Sequence, residues 1–123
     1  MHRDIDFEAI TDTISQVVIV LDPELTIVWA NKSAAEAAGT DPVGHKCYRI
    51  YQGRNSPCEG CHTLKTFGTG EMVPNTSTVT YADGTRRRFD GFTLPVARDE
   101  QGRVSLVAET AGEVSGRAAG AEE

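Results

Sequence analysis

Apolar residues near the start of the chain recur at the spacing of an α-helix. Successive members of the set lie three or four positions apart, and Asp4 or Asp6 can cap the first turn. They are Phe7, Ile10 and Ile14. This pattern predicts an amphipathic helix within residues 1–15. Its apolar stripe either packs on the sheet of its own chain or forms a dimer interface with a second copy.

Two strand-like segments follow this helix. Residues 17–21 are a continuous run rich in β-branched side chains, as in a strand that is buried on both faces. Residues 25–30 alternate well enough to be the hairpin partner. The intervening Asp22-Pro23-Glu24 has the composition of a turn, because Pro23 fixes φ there. The sheet is therefore predicted to begin with two adjacent strands.

The middle of the chain carries short helical patterns. Asn31 is a good N-cap for an alanine-rich helix over residues 32–38, and Gly39 can end it. Further on, Cys47, Ile50 and Tyr51 share one face of a short helical segment.

The strongest local signal is Ser56-Pro57-Cys58-Glu59, which places serine at the N-cap, proline at N1 and glutamate at N3 of a helix. The pattern predicts a helix that runs through Phe67 and stops at Gly68-Thr69-Gly70. Cys58 would then occupy the second helical position, where free amide groups stabilise a thiolate and lower the pKa of the thiol.

Three further strands are predicted beyond this helix. Residues 76–81 and 85–97 flank Ala82-Asp83-Gly84, a strong hairpin signal. Pro95 implies an edge or a bulge in the second of them. A last strand covers residues 104–108.

The order of elements predicts an α+β fold, with one antiparallel sheet and the helices gathered on one of its faces. We assign residues 16–111 to this domain, after the helix of residues 1–15. Residues 112–123 are rich in Gly, Ala and Glu without apolar periodicity, so we expect a flexible tail or linker there.

The composition and net charge of the chain argue against several classes of function. The net charge of −6 and pI of about 5.0 argue against a nucleic-acid-binding surface, and we interpret Arg86-Arg87-Arg88 as a solvated sheet face. The chain has neither a run of about 20 apolar residues for a membrane span nor a signal peptide, so we predict a cytoplasmic protein. No catalytic motif is present, and an enzyme is not expected.

The chain resembles the PAS domain family over about residues 5–111. Four stretches in the expected order carry the resemblance: Val18-Ile19-Val20-Leu21-Asp22, Ile27-Val28-Trp29-Ala30-Asn31-Lys32, Tyr81-Ala82-Asp83-Gly84-Thr85 and Asp99-Glu100-Gln101-Gly102-Arg103-Val104. It is also similar to a cysteine-bearing subset found in bacterial and archaeal sensor histidine kinases. That likeness rests on Gly44-His45-Lys46-Cys47-Tyr48, Gly53-Arg54 and Pro57-Cys58-Glu59-Gly60-Cys61.

The resemblance implies a five-stranded sheet in the order 2-1-5-4-3, with short helices over a pocket on its concave face. Positions expected to line this pocket are Trp29, Tyr48, Ile50, Leu64, Phe67 and Phe92. It also implies a sensory, signal-transduction module. Such a module responds to a small ligand or to redox or metal state, and passes the change to a homodimer partner or to an effector such as the kinase of a two-component system. The alternative is a constitutive dimerisation scaffold without a cofactor.

Four interpretations of the cluster of Cys47, Cys58, Cys61 and His62 remain open at this stage. The Cys-x-x-Cys pair suits zinc or an iron–sulfur cluster, with Cys47 as third ligand and His62 or His45 as fourth. The same thiols could form a redox switch. Residues 58–62 also match the attachment pattern of c-type haem. Finally, the cysteines could be small buried hydrophobes without chemistry.

Overall fold

The computed structural model describes residues 6–12, 16–80 and 83–114, without the side chains of Phe7, Asp12, Val79 and Thr80. Short helices occupy the first half of this part of the chain and long strands the second. The elements are α1 (Phe7–Asp12), β1 (Val17–Leu21), β2 (Ile27–Ala30), α2 (Lys32–Ala38), α3 (Cys47–Gln52), α4 (His62–Thr69), β3 (Val73–Thr80), β4 (Arg86–Arg98) and β5 (Val104–Glu113).

All five strands form one antiparallel sheet in the order β2-β1-β5-β4-β3, so the predicted fold class and strand order are confirmed. The last strand in sequence is thus the central strand in space. Glu109 lies in the middle of β5, opposite Ile19 of β1 and Thr93 of β4. Both neighbours are fully buried, which places Glu109 on the inner face of the sheet.

The apolar core lies beneath β1 and β2. Ile19, Leu21 and Ile27 are fully buried there, together with Leu25 and Ala34. The predicted common face of α3 is confirmed, because its apolar side chains pack against this core. Each buried aliphatic side chain contributes about 2 kcal/mol relative to solvent exposure.

Asn31 is the predicted N-cap of α2, and its amide also joins three other segments. Its Oδ1 accepts from the backbone N–H of Ala34 at 3.0 Å and of Val18 at 3.1 Å. Its Nδ2 donates to the carbonyl oxygens of Thr11 and Gln16. One buried side chain therefore fixes the end of α1, the start of β1 and the start of α2 to one another.

The predicted helix from Ser56 is wrong, because α4 begins only at His62, with Cys61 as its N-cap. Two features oppose an earlier start. Gly60 has a left-handed φ of 68°, which interrupts a right-handed helix. The guanidinium of Arg54 donates to the carbonyl oxygens of Ser56 and Pro57, so these acceptors stabilise a loop instead.

Strand β5 is longer than predicted. It runs to Glu113, so Gly112 and Glu113 belong to the sheet and not to a tail. The reason is the length of β4, which offers backbone partners as far back as Phe89. An ion pair of 3.5 Å between Arg87 of β4 and Glu113 of β5 stabilises the end of this strand pair. Residues 115–123 of the predicted tail lie outside the described residues.

Other boundaries differ less. Strand β3 begins at Val73, before the predicted position, and the register shift beside Pro95 confirms the irregularity expected in β4. Helix α1 covers the central part of the predicted residues 1–15, of which residues 1–5 and 13–15 are not described. Within the described ranges, every helix is too short or too polar to span a membrane.

Candidate functional site

A cavity of about 270 Å³ lies between the inner face of the sheet and the segment from α3 to α4. Its walls come from β1, β3, β4, β5, α2, α3, the start of α4 and the loop before it. The lining residues that carry chemistry are Cys47, Cys58, Glu59, Cys61, His62, Asn75 and Glu109, and the aromatic ones are Tyr48, Tyr51 and Phe89. Polar side chains of the sheet and of the helices thus line the same cavity.

The structure brings all four members of the predicted cysteine cluster to this cavity. Cys47 lies on α3, Cys58 in the loop, Cys61 at the N-cap of α4 and His62 in its first turn. All three cysteines are free thiols. Among the described residues, however, no three His, Cys, Asp or Glu side chains are arranged to bind a metal ion. The four side chains thus share a cavity without forming a three-ligand metal group among the described residues.

Two thiols of this cluster, those of Cys47 and Cys58, have a raised pKa and are poorly ionised. Burial raises the pKa of Cys47 strongly, and the nearby carboxylate of Glu109 raises it further. Burial also raises the pKa of Cys58, against the opposing effect of the Arg54 guanidinium. The predicted lowering of the Cys58 pKa is therefore wrong, because the residue lies in a partly buried loop and not at a helix N-terminus.

Of the six predicted pocket residues, Tyr48 alone belongs to the described lining. Ile50 packs on the apolar core beside the cavity. Leu64 and Phe92 are 40% and 44% exposed. Phe92 pairs with Thr110 on the outer face of the sheet, one position out of phase with the buried Thr93. Trp29 and Phe67 are half-buried outside the lining.

A polar pair that sequence reasoning missed lies on the sheet side of the cavity. Asn75 of β3 is 6% exposed, and its Nδ2 donates to Oε2 of Glu109 at 2.8 Å. Burial raises the pKa of Glu109, and the Asn75 hydrogen bond partly offsets this. A usable signal was present: alternation from Val107 through Glu109 to Ala111 puts a carboxyl on the buried face. The predicted strand ends at Ala108, which leaves Glu109 outside the sheet, whereas β5 runs to Glu113.

Buried hydroxyl groups hold α4 to the sheet next to the cavity. The Oγ1 atoms of Thr66 and Thr93 are 2.6 Å apart, and both residues are completely buried. Thr93 also donates to the carbonyl oxygen of His62 at 3.2 Å. On the other side, the Tyr51 hydroxyl donates to the carbonyl of Ala34 at 2.7 Å, which joins α3 to α2. The cavity wall is therefore linked to β4 and α2 by specific bonds.

A five-stranded antiparallel sheet that carries short helices over a cavity defines a small α+β module. A sequence model of the PAS fold family matches residues 11–119. The chain therefore belongs to the PAS fold family, as the sequence resemblance predicted. PAS domains are typically sensory modules without catalytic activity.

Solved structures agree with this fold. The PAS domain of nitrogen regulation protein NR(II) from Vibrio parahaemolyticus is 17% identical, with a TM-score of 0.66 over 87% of this chain and 96% of that one. A light-oxygen-voltage domain studied with a flavin analogue is 22% identical, with a TM-score of 0.70 over 99% and 94%.

The VqmA dimer of Vibrio cholerae is 19% identical, with a TM-score of 0.68 over 93% of this chain. The match covers 53% of the VqmA chain, so the present chain spans about half of its length. No curated protein matches the sequence.

Proposed function

We propose that this domain senses a small molecule that binds in the cavity between the sheet and helices α3 and α4. The observation that supports the proposal is the cavity of about 270 Å³, a space comparable to about nine water molecules. Ligand sites are typically concave and mostly apolar, with a few convergent polar groups. Here Tyr48, Tyr51 and Phe89 supply the apolar surface, and Asn75 and Glu109 supply polar atoms.

The construction of the walls suggests how binding is transmitted. A ligand would contact both β5, the central strand, and α4, which the Thr66–Thr93 hydrogen bond ties to β4. Occupancy would thus change how α4 and the sheet pack together. We propose that this change passes to a second copy of the chain or to an effector such as a histidine kinase domain.

The protonated state of Cys47 and Cys58 favours ligand binding over thiol chemistry as the function of the cavity. A thiol attacks as its thiolate, and burial raises the pKa of both Cys47 and Cys58. In the cytoplasm, where we predict that the chain works, such thiols remain reduced and slow to react. Redox switching, zinc, an iron–sulfur cluster and c-type haem are therefore alternative outcomes of the test below.

Two structures of one neighbour, VqmA, are compatible with this proposal. VqmA has been solved bound to DPO, and the VqmA dimer has a target DNA. For the present chain we propose a small-molecule signal and a homodimer. Its net charge of −6 disfavours direct binding to DNA by this domain.

The experiment is native mass spectrometry of freshly purified, anaerobically handled protein, together with an absorption spectrum and metal analysis. We expect one small organic molecule per chain, released on denaturation. Ala37→Phe places a ring at the cavity wall and should abolish this species. Val96→Phe, at a position that is 50% exposed, is the matched control and should retain it.

Contradictory results are distinct for each alternative. A Soret band indicates haem, a broad visible shoulder indicates an iron–sulfur cluster, and stoichiometric zinc indicates a metal site. Retention of the bound molecule in Ala37→Phe would place it elsewhere on the chain.

A second candidate function is a constitutive dimerisation scaffold, because Ile10 of the predicted apolar stripe is 53% exposed. Phe7 and Ile14 of that stripe have no described side chain. Ile10→Glu should dissociate such a dimer in sedimentation experiments, and Ala9→Glu on the same helix is the control. A wild-type chain that is monomeric at every concentration would exclude the scaffold.

A further inference from the structure

The Asn75–Glu109 pair is unusual for the centre of a sheet. Glu109 lies between Ile19 and Thr93 on the inner face, where the side-chain environment is otherwise apolar or neutral. A carboxyl at such a position is costly unless it is hydrogen-bonded. Asn75, from the edge strand β3, provides that bond to one of the two carboxyl oxygens. Asn75 thus fixes the orientation of a carboxyl group that borders the cavity.

The charge on the cavity wall has one sign. The carboxyl groups of the described lining are those of Glu59 and Glu109, and no Lys or Arg belongs to it. The nearest arginine in sequence, Arg54, donates to the loop carbonyls of Ser56 and Pro57. An anionic ligand would therefore find no Lys or Arg in the described lining, where His62 is the one side chain that can become cationic. A ligand with N–H groups would find carboxyl oxygen as an acceptor.

We propose that the cavity selects small ligands that carry N–H donors, as amides or amidines do, through a hydrogen bond to Glu109 in the orientation set by Asn75. This inference rests on the proposed function, because it requires the cavity to hold a ligand. Within that function it specifies the ligand class and excludes carboxylates and phosphates. Glu109 is the specificity-determining residue and Asn75 the positioning residue.

Four probes of equal shape test the class: benzamidine, benzamide, benzoate and toluene. They share one ring and differ in a single substituent, which is a cationic donor, a neutral donor, an anion or a methyl group. Dissociation constants are measured for each by NMR titration of the full chain. We expect benzamidine or benzamide to bind at least about tenfold more tightly than benzoate and toluene, since one charge-assisted hydrogen bond has about that effect.

Substitutions at Glu109 test whether this residue causes the preference for N–H donors. Glu109→Leu removes the acceptor and should lower the affinity for benzamidine and benzamide about tenfold, while toluene binding is unchanged. Glu100→Leu, in the exposed turn between β4 and β5 and outside the cavity lining, is the matched control and should change neither. If Glu109→Leu fails to fold, Glu109→Gln preserves the shape. At a pH above the raised pKa of Glu109, where the wild-type carboxyl is ionised, it should still weaken benzamidine binding about tenfold through loss of the charge.

The possible negative results distinguish two claims: that the cavity binds a ligand, and that Glu109 selects ligands with N–H donors. If toluene binds and benzoate binds as tightly as the N–H donors, the cavity is a ligand site and the donor selectivity is wrong. Unchanged benzamidine and benzamide affinity in Glu109→Leu would also refute the role of Glu109 alone. If none of the four probes binds, the inference fails, and native mass spectrometry of the purified chain decides the proposed function separately.

Discussion

The two sides of the inner sheet face are built in different ways. Beneath β1 and β2, aliphatic side chains and Asn31 form a closed core in which the polar groups are paired. Beneath β3, β4 and β5, the corresponding volume is a cavity with thiols, aromatic rings and the Asn75–Glu109 pair on its walls. The comparison indicates that stability resides mainly in the first region and recognition in the second. Mutations in the two regions should therefore have separable effects.

The largest expected effect is in the core. Leu21→Ala empties a fully buried position and should lower the free energy of unfolding by about 3 kcal/mol. Urea denaturation measures the change. Val17→Ala, on the same strand at the edge of the cavity, is the matched comparison and should cost about 1 kcal/mol. Equal losses at the two positions would show that the regions do not differ in packing.

Asn31→Ala should have the next largest effect, about 2 kcal/mol. The substitution removes an N-cap and leaves buried backbone groups of Val18 and Ala34 without their acceptor. Thermal unfolding measures the loss. Asn31→Asp, which keeps an acceptor but not the donor to Thr11 and Gln16, should lie between the wild type and Asn31→Ala. An unchanged midpoint in Asn31→Ala would mean that the four bonds contribute nothing net.

Thr93→Val should lower the free energy of unfolding by about 1 kcal/mol, and its effect should be confined mainly to α4. It removes the hydroxyl that bonds to Thr66 and to the carbonyl of His62, so α4 loses two ties to the sheet. Hydrogen exchange should accelerate in α4 more than in α2. Thr76→Val, at an exposed position of β3, is the control. Equal acceleration in both helices would indicate global destabilisation instead.

The smallest effect concerns pH. Burial raises the pKa of Glu109 above its ordinary 4.5, so the folded state holds this proton more tightly than the unfolded chain does. Protonated Glu109 therefore stabilises the folded state fully below about pH 4.5. This contribution is lost as the pH rises through the raised pKa of the folded state. Glu109→Gln does not ionise, and should lose less stability than the wild type as the pH rises from about 4.5 through the raised pKa of Glu109. Parallel curves in urea denaturation would contradict the direction of this shift.

Sequence patterns predicted the core region well, because its signals are local. The cap at Asn31, the end at Gly39 and the strand of residues 17–21 depend on neighbouring residues alone, and the structure has the same bounds for α2 and β1. Strand order followed from the family resemblance.

The cavity region was predicted less well, because its geometry depends on distant partners. Arg54 and Gly60 decide where α4 begins, against a strong local capping pattern. The length of β4 decides where β5 ends, and thereby places Glu109 inside the sheet. The Asn75–Glu109 bond joins residues 34 positions apart, which no local pattern encodes.

The most direct test of the sensory cavity is the distribution of amide chemical-shift changes when benzamidine is titrated into the full chain. Our account predicts that the changes cluster at residues 58–63 and 109–111, which contribute to the cavity wall, and that the turn of residues 99–102, which lies outside the lining, changes little. Changes centred on the outer face around Phe92, or none at all, would contradict it.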